Sequence, residues 1–181
     1  MIERSCRICG CTEDHACETV YGACYWVEYD LCSACADRMD AARAYLVRRV
    51  WFDDPEKYDM VIEWALTQKR GRTLPLVVTG PSCSGKTELA KAVETLLTPD
   101  GGRYQAATIG RLINAAEEGK VTLILDEMEQ PPHESKQDLY KLMKIERVML
   151  TSKDLPPEEV LRECLHLEMC PAPEGWTQGV N

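Results

Sequence analysis

GPSCSGKT, residues 80–87, decides how the rest of the chain is read. Gly80, Gly85, Lys86 and Thr87 fill the four fixed positions of the pattern G-x-x-x-x-G-K-[ST], with Pro81, Ser82, Cys83 and Ser84 between them. The apolar run Leu-Pro-Leu-Val-Val at 74–78 arrives as a short buried strand, and residues 88–97 leave as a helix. Such a turn lets successive backbone N–H groups converge on phosphate oxygens, and the helix adds its positive end. The loop is therefore expected to cradle the phosphates of ATP. Lys86 would reach the β and γ phosphates, and the Thr87 hydroxyl would hold Mg²⁺.

Working outward, residues 121–127 read VTLILDE, an apolar run that predicts a parallel strand buried on both faces. It ends on two acids. Ligands of parallel sheets lie at the carboxyl ends of strands, so Asp126 is placed to hold Mg²⁺ through its water shell and Glu127 to polarise an attacking water. Glu129 is the weaker candidate for that base. Around these elements residues 104–108, 147–151 and 164–169 read as strands. Residues 109–118, 135–145 and 156–163 read as helices, and 98–102 and 131–133 as turn and loop. The alternation predicts an α/β fold with a parallel sheet of about five strands.

A chain of 181 residues has room for one ordinary domain and a small module. Its hydrophobic content of 45% and charged content of 28% are globular values and exclude a disordered chain. The net charge of −9 excludes a surface that grips nucleic acid everywhere. Residues 36–73 alone hold a basic excess, through Arg48, Arg49, Lys69, Arg70 and Arg72, so contact with single-stranded or duplex DNA would be local. With no run long enough for a membrane helix and no apolar segment in residues 1–10, the sequence predicts a soluble cytoplasmic protein without a membrane partner.

Ten cysteines are many for such a protein, and seven lie within the first 35 residues. In a reducing compartment metal explains them better than disulfides. Cys6-x2-Cys9 and Cys32-x2-Cys35 form two knuckles that can offer four thiolates to one Zn²⁺ in a closed structural site. Cys11, Cys17 and Cys24 remain, with His15 nearby. They could complete a second zinc site, share a bridging cysteine in a small cluster, take an iron–sulfur cluster, or be small buried hydrophobes. Trp26 and Val27 are expected in the small core, and metal would supply most of the folding energy.

Residues 36–50 and 56–69 show helical spacing, split at Trp51-Phe52-Asp53-Asp54-Pro55, and predict a helical hairpin. The chain then divides into a metal module at 1–36, a helical linker at 37–73, a nucleotide domain at 74–170 and a tail at 171–181.

The wording CRICGCT…AC…C.WVE.DLCSAC at 4–36 resembles a cysteine-rich module found at the front of bacteriophage-encoded proteins, which implies metal binding. Residues 74–170 resemble the AAA+ ATPases and, within them, the superfamily 3 helicases of small viruses and phages, on GPSCSGKT, LILDE and MLTSKD. The resemblance implies ATP hydrolysis by a ring-forming homo-oligomer acting on nucleic acid. It also implies a polar sensor, which falls at Lys153 after Thr151 and Ser152, and an arginine before the last strand that reaches a neighbouring subunit's nucleotide, here Arg162. This chain departs from those helicases in its short end after Cys170 and in lacking a visible aromatic and basic groove for single strands. Two other functions fit the same loop: a nucleotide-gated adaptor with little turnover, and a small-molecule kinase. The kinase is disfavoured by the acidic pair and by the lack of an arginine-rich lid.

Overall fold

The computed structural model describes residues 4–67, 73–97, 101–105, 122–128, 141 and 147–176; within 101–105 and 122–128 it describes the backbone and the side chains of Ile124 and Asp126. The expected helices at 109–118 and 135–145, apart from Lys141, and the loop at 131–133 lie outside the described residues.

Strand β5, Leu76–Thr79, is buried along its whole length and sits inside the sheet. Its β-branched centre suits a position covered on both faces. Taking β6 as Gly101–Gln105, β7 as Thr122–Met128, β8 as Arg147–Ser152 and β9 as Leu165–Glu168, the order across the sheet is β6-β7-β8-β5-β9. Every pairing is parallel. Thr79 lies level with Ser152 on one side and Glu168 on the other. Between β7 and β8 the register slips, because Leu125 faces Leu150 while Met128 faces Ser152. That extra residue is a bulge, a device that re-aims side chains, and it falls on Asp126 and Glu127.

Helix α3, Lys86–Leu96, follows the loop and buries Leu89, Ala90, Ala92 and Val93. Helices α1, Ser33–Leu46, and α2, Glu56–Leu66, pack on one another and on α3. The connection between them is pinned by Tyr58, whose hydroxyl donates to the Val50 carbonyl at 2.8 Å and accepts from the Phe52 N–H at 3.2 Å. The Phe52 and Tyr58 rings meet edge to face, 4.6 Å between centroids. The pair is anchored to the sheet as well: Trp64 Nε1 donates to the Leu74 carbonyl at 2.8 Å, and Arg147 donates to the carbonyls of Ala65 and Thr67.

The cysteine-rich segment forms two small hairpins, β1 (Glu18–Thr19) with β2 (Gly22–Ala23), and β3 (Trp26–Glu28) with β4 (Leu31–Cys32). Its buried apolar side chains, Ile8 and Leu31 with the cysteines, run into one core with Leu46, Val61, Leu76 and Leu89. Arg7 ties it down further, pairing with Glu28 and Asp30 in the segment and with Glu63 of α2.

Several expectations shift. Helix α1 begins at Ser33, three residues earlier than read, so Cys35 lies in its first turn and Cys32 at its N-cap. Val27 is exposed and outside the core, since β3 is a two-sided hairpin strand with solvent on that face; Trp26 is half-buried under the Arg4 guanidinium, 4.4 Å from its ring centroid. Gly101 and Gly102, read as a turn, open β6, because parallel pairing with Thr122 and Leu123 outweighs their turn propensity. The helix after Pro156 and Pro157 is the single turn α4, Glu158–Leu161. No described helix is long and apolar enough to cross a membrane.

Candidate functional site

Between β5 and α3 the chain turns through Gly80 and Gly85, at φ 149° and 92°, and through Cys83 at 63°. Gly80 is required by space as well as by angle. A Cβ there would stand 2.3 Å from the Met169 carbonyl oxygen and 2.9 Å from Ser84 Oγ. The chain just past β9, whose Met169 N–H donates to the Thr79 carbonyl at 2.8 Å, thus closes against the loop from below. Gly85 is the N-cap of α3 and brings no side chain to the first N–H groups of the helix.

Lys86 is buried in the loop it ends. Its Nζ donates to the carbonyls of Gly80 and Pro81, both at 2.7 Å, and lies 3.4 Å from Ser84 Oγ. Those carbonyls hold the ammonium at the centre of the loop, where an entering phosphate would meet it. Thr87 donates to Asp126 Oδ1 at 3.3 Å, and Thr151 donates to the same oxygen at 2.9 Å. A carboxylate buried with a loop hydroxyl beside it has the oxygen chemistry that Mg²⁺ takes. The two residues that the sequence assigns to Mg²⁺ therefore meet, and a third, Thr151, joins them.

Thr151 is the member that sequence reading passed over in favour of later positions. Its place depends on β8 lying next to β7 and on the bulge, which no local pattern reveals. Ser152 is also buried, level with Thr79, and its Oγ accepts the Asp154 N–H at 3.2 Å. Lys153, the expected sensor position, is exposed. Glu127 follows Asp126 in the β7 bulge; its side chain, like Glu129, lies outside the description. Arg162 caps α4 and pairs with Glu158 at 2.6 Å on the surface, 74% exposed. Within this chain it stands apart from the loop cluster. Pro81, Ser82 and Cys83 form the exposed outer turn of the loop.

The second constellation is the cysteine cluster. All ten cysteines are free thiols. The sulfurs of Cys6, Cys9, Cys11 and Cys32 lie within 4.8 Å of one another, and so do those of Cys11, Cys17, Cys24 and Cys32. The first foursome has Cys11 where spacing placed Cys35. Helix α1 sets Cys35 slightly apart, yet its thiol interacts with those of Cys9 and Cys32. His15 is exposed and belongs to neither group. Backbone N–H groups point at sulfur, among them Cys17 to Cys24 at 3.1 Å and Cys11 to Cys9 at 3.5 Å.

Crowding divides these thiols. Burial opposes the Cys9 thiolate, yet the Cys11 N–H and the surrounding thiols outweigh it and bring the group down to about 6. Burial and the contact with Cys9 push Cys17 up to about 12. Burial first, and neighbouring thiols second, also push Cys11 and Cys35 up. Without a cation such a cluster ionises only in part. A divalent ion held among the sulfurs reverses that balance, because thiols that ligate a metal are deprotonated.

The parallel sheet, with the loop between β5 and α3, is a fold shared with solved structures. Among solved structures, C. elegans PCH-2 superposes with a TM-score of 0.53 at 14% identity, over 73% of this chain and 47% of that one. The replication initiator DnaA bound to AMPPCP and single-stranded DNA gives a TM-score of 0.49 at 14% identity, over 70% and 50%. The chain spans about half the length of these structures. No family model and no curated protein matches it.

Proposed function

We propose that this chain binds and hydrolyses ATP with Mg²⁺ at the loop between β5 and α3, acting as a helicase-like AAA+ ATPase on nucleic acid or a nucleoprotein. The observation that carries the reading is the loop closed around Lys86, whose Nζ donates to its carbonyls, with Thr87 and Thr151 both donating to one oxygen of Asp126 beside it. In this reading residues 80–87 cradle the phosphates, Lys86 neutralises the β and γ phosphates, and Thr87 with Asp126 holds the ion. The role of Glu127 is to orient and deprotonate the attacking water. Ser152 contributes to the nucleotide side of the site.

Assembly completes the enzyme. Arg162 is solvent-exposed and distant in role from its own loop, which suits a residue that stabilises transition-state charge in a neighbouring copy of a homo-oligomer. The cysteine module at 1–36 binds Zn²⁺ and recruits the partner, the linker at 37–73 joins it to the ATPase domain at 74–170, and the tail follows at 171–181. A closed thiolate site has no open position for catalysis, so recruitment is its natural work.

Phosphate release from ATP, measured against protein concentration with and without single-stranded DNA, tests the reading. The rate per subunit should rise with both, and Glu127→Gln should abolish it while ATP still binds. Tight binding with negligible turnover in every condition would instead establish the nucleotide-gated adaptor.

A further inference from the structure

Seven thiols crowd the amino-terminal segment, and the two compact foursomes among them share Cys11 and Cys32. They are not two separate sites. Cys9 and Cys17, from different foursomes, have sulfurs only 3.4 Å apart. Four sulfurs around a tetrahedral zinc stand about 3.8 Å from one another, given Zn–S bonds of about 2.3 Å. Cys9 to Cys32 at 3.9 Å and Cys11 to Cys24 at 3.8 Å already have that separation.

Counting positions selects the arrangement. Two tetrahedral ions need eight ligand positions, and seven thiolates fill eight only if one of them serves both ions. Cys32 is the sulfur placed for this. It belongs to both foursomes, it lies 3.9 Å from Cys9, and the thiol of Cys35 rests beside it. Cys11 also belongs to both, but Cys11 as a second bridge would leave the buried Cys35 thiol without a metal.

We propose that residues 6–35 form a binuclear zinc centre in which the Cys32 thiolate bridges the two ions. Cys6, Cys9 and Cys35 complete one ion; Cys11, Cys17 and Cys24 complete the other. The bridge is the N-cap residue of α1, a helix that packs on α2 and α3. The cluster thereby joins the first knuckle, the β1–β2 hairpin and the start of α1 at a single sulfur. The inference rests on the metal-binding reading of the module and adds the number of ions and the shared ligand.

The test loads the full chain with ¹¹³Cd²⁺, counts ions by native mass spectrometry and records the ¹¹³Cd spectrum. Two ions per chain and two resonances of the tetrathiolate type, coupled to each other through the shared sulfur, are expected. Cys32→Ser should move or remove both resonances, whereas Cys35→Ser or Cys17→Ser should affect only one. The coupling in the unaltered protein needs no variant to fold. One ion per chain, or two resonances without coupling of which Cys32→Ser moves one, overturns the bridge and leaves the module a metal site. A chain that takes no metal, or that is isolated with inorganic sulfide and iron, overturns the zinc reading itself along with the bridge.

Discussion

The loop at 80–87 and the cysteine cluster are the two candidate sites of the chain, and they are formed by opposite means. Below the loop lie Leu76, Val77 and Val78, each at most 1% exposed, and the chain at Met169 closes the floor, so backbone geometry is set by the sheet before any ligand arrives. In the cysteine segment the buried apolar side chains are few beside the seven thiols, and β1 to β4 have two or three residues each. Burial shapes the first site. The second, on the metal-binding proposal, would be shaped by the ion it takes.

Removing metal should show the difference on the largest scale. Structural zinc in small modules is worth about 10–16 kcal/mol of apparent binding free energy at neutral pH, and that energy is folding energy. A thiol-competitive chelator should collapse hydrogen-exchange protection across residues 4–35 while amides of β5 and β8 stay protected. Equal loss in both regions would show that the module holds up the sheet. Uptake of the metal should release protons and strengthen as pH rises, since thiols such as Cys17, pushed up to about 12, must ionise to ligate.

Next in size is Gly80→Ala. Its methyl would meet the Met169 carbonyl in a conformation side chains rarely adopt, at a cost of about 3 kcal/mol. Chemical denaturation should report that loss with metal occupancy unchanged; a neutral result would mean that the chain at Met169 yields. Thr151→Val sharpens the view of the loop itself. Asp126 would lose a buried hydroxyl donor, which costs about 1–2 kcal/mol by denaturation and should weaken Mg²⁺-dependent ATP binding.

The smallest effects separate stability from activity. Arg162→Ala removes an exposed i,i+4 pair and should leave folding stability within about 0.5 kcal/mol. If Arg162 acts in trans, turnover of the assembled protein should nonetheless fall by about 10³-fold or more. A variant that keeps full turnover would remove Arg162 from the mechanism.

How much was legible in the sequence follows the same division. GPSCSGKT is a contiguous motif whose residues act on one another within eight positions, so the turn at Gly80 and Gly85 and the place of Lys86 could be read directly. That Asp126 lies near the carboxyl end of its strand, beside Thr87, could be read from the apolar run before it, although β7 runs on through a bulge to Met128 instead of stopping at the two acids. What escaped was long-range. The oxygen that makes Gly80 indispensable comes from Met169, and the hydroxyl beside Asp126 comes from Thr151 of β8, set against it across a bulge that no local pattern announces. For the cysteines, spacing revealed the knuckles at Cys6–Cys9 and Cys32–Cys35. It could not reveal that the hairpin at 17–24 folds back to put Cys11, Cys17 and Cys24 against Cys32.

Calorimetric titration of ATP into the protein, with and without Mg²⁺, for the unaltered chain and for Lys86→Ala, tests the central claim most directly. The loop account predicts one ATP per chain, tighter with Mg²⁺, and binding lost in Lys86→Ala with its thermal unfolding and metal content preserved. ATP bound equally well by Lys86→Ala, or not bound by the unaltered chain at all, would contradict it.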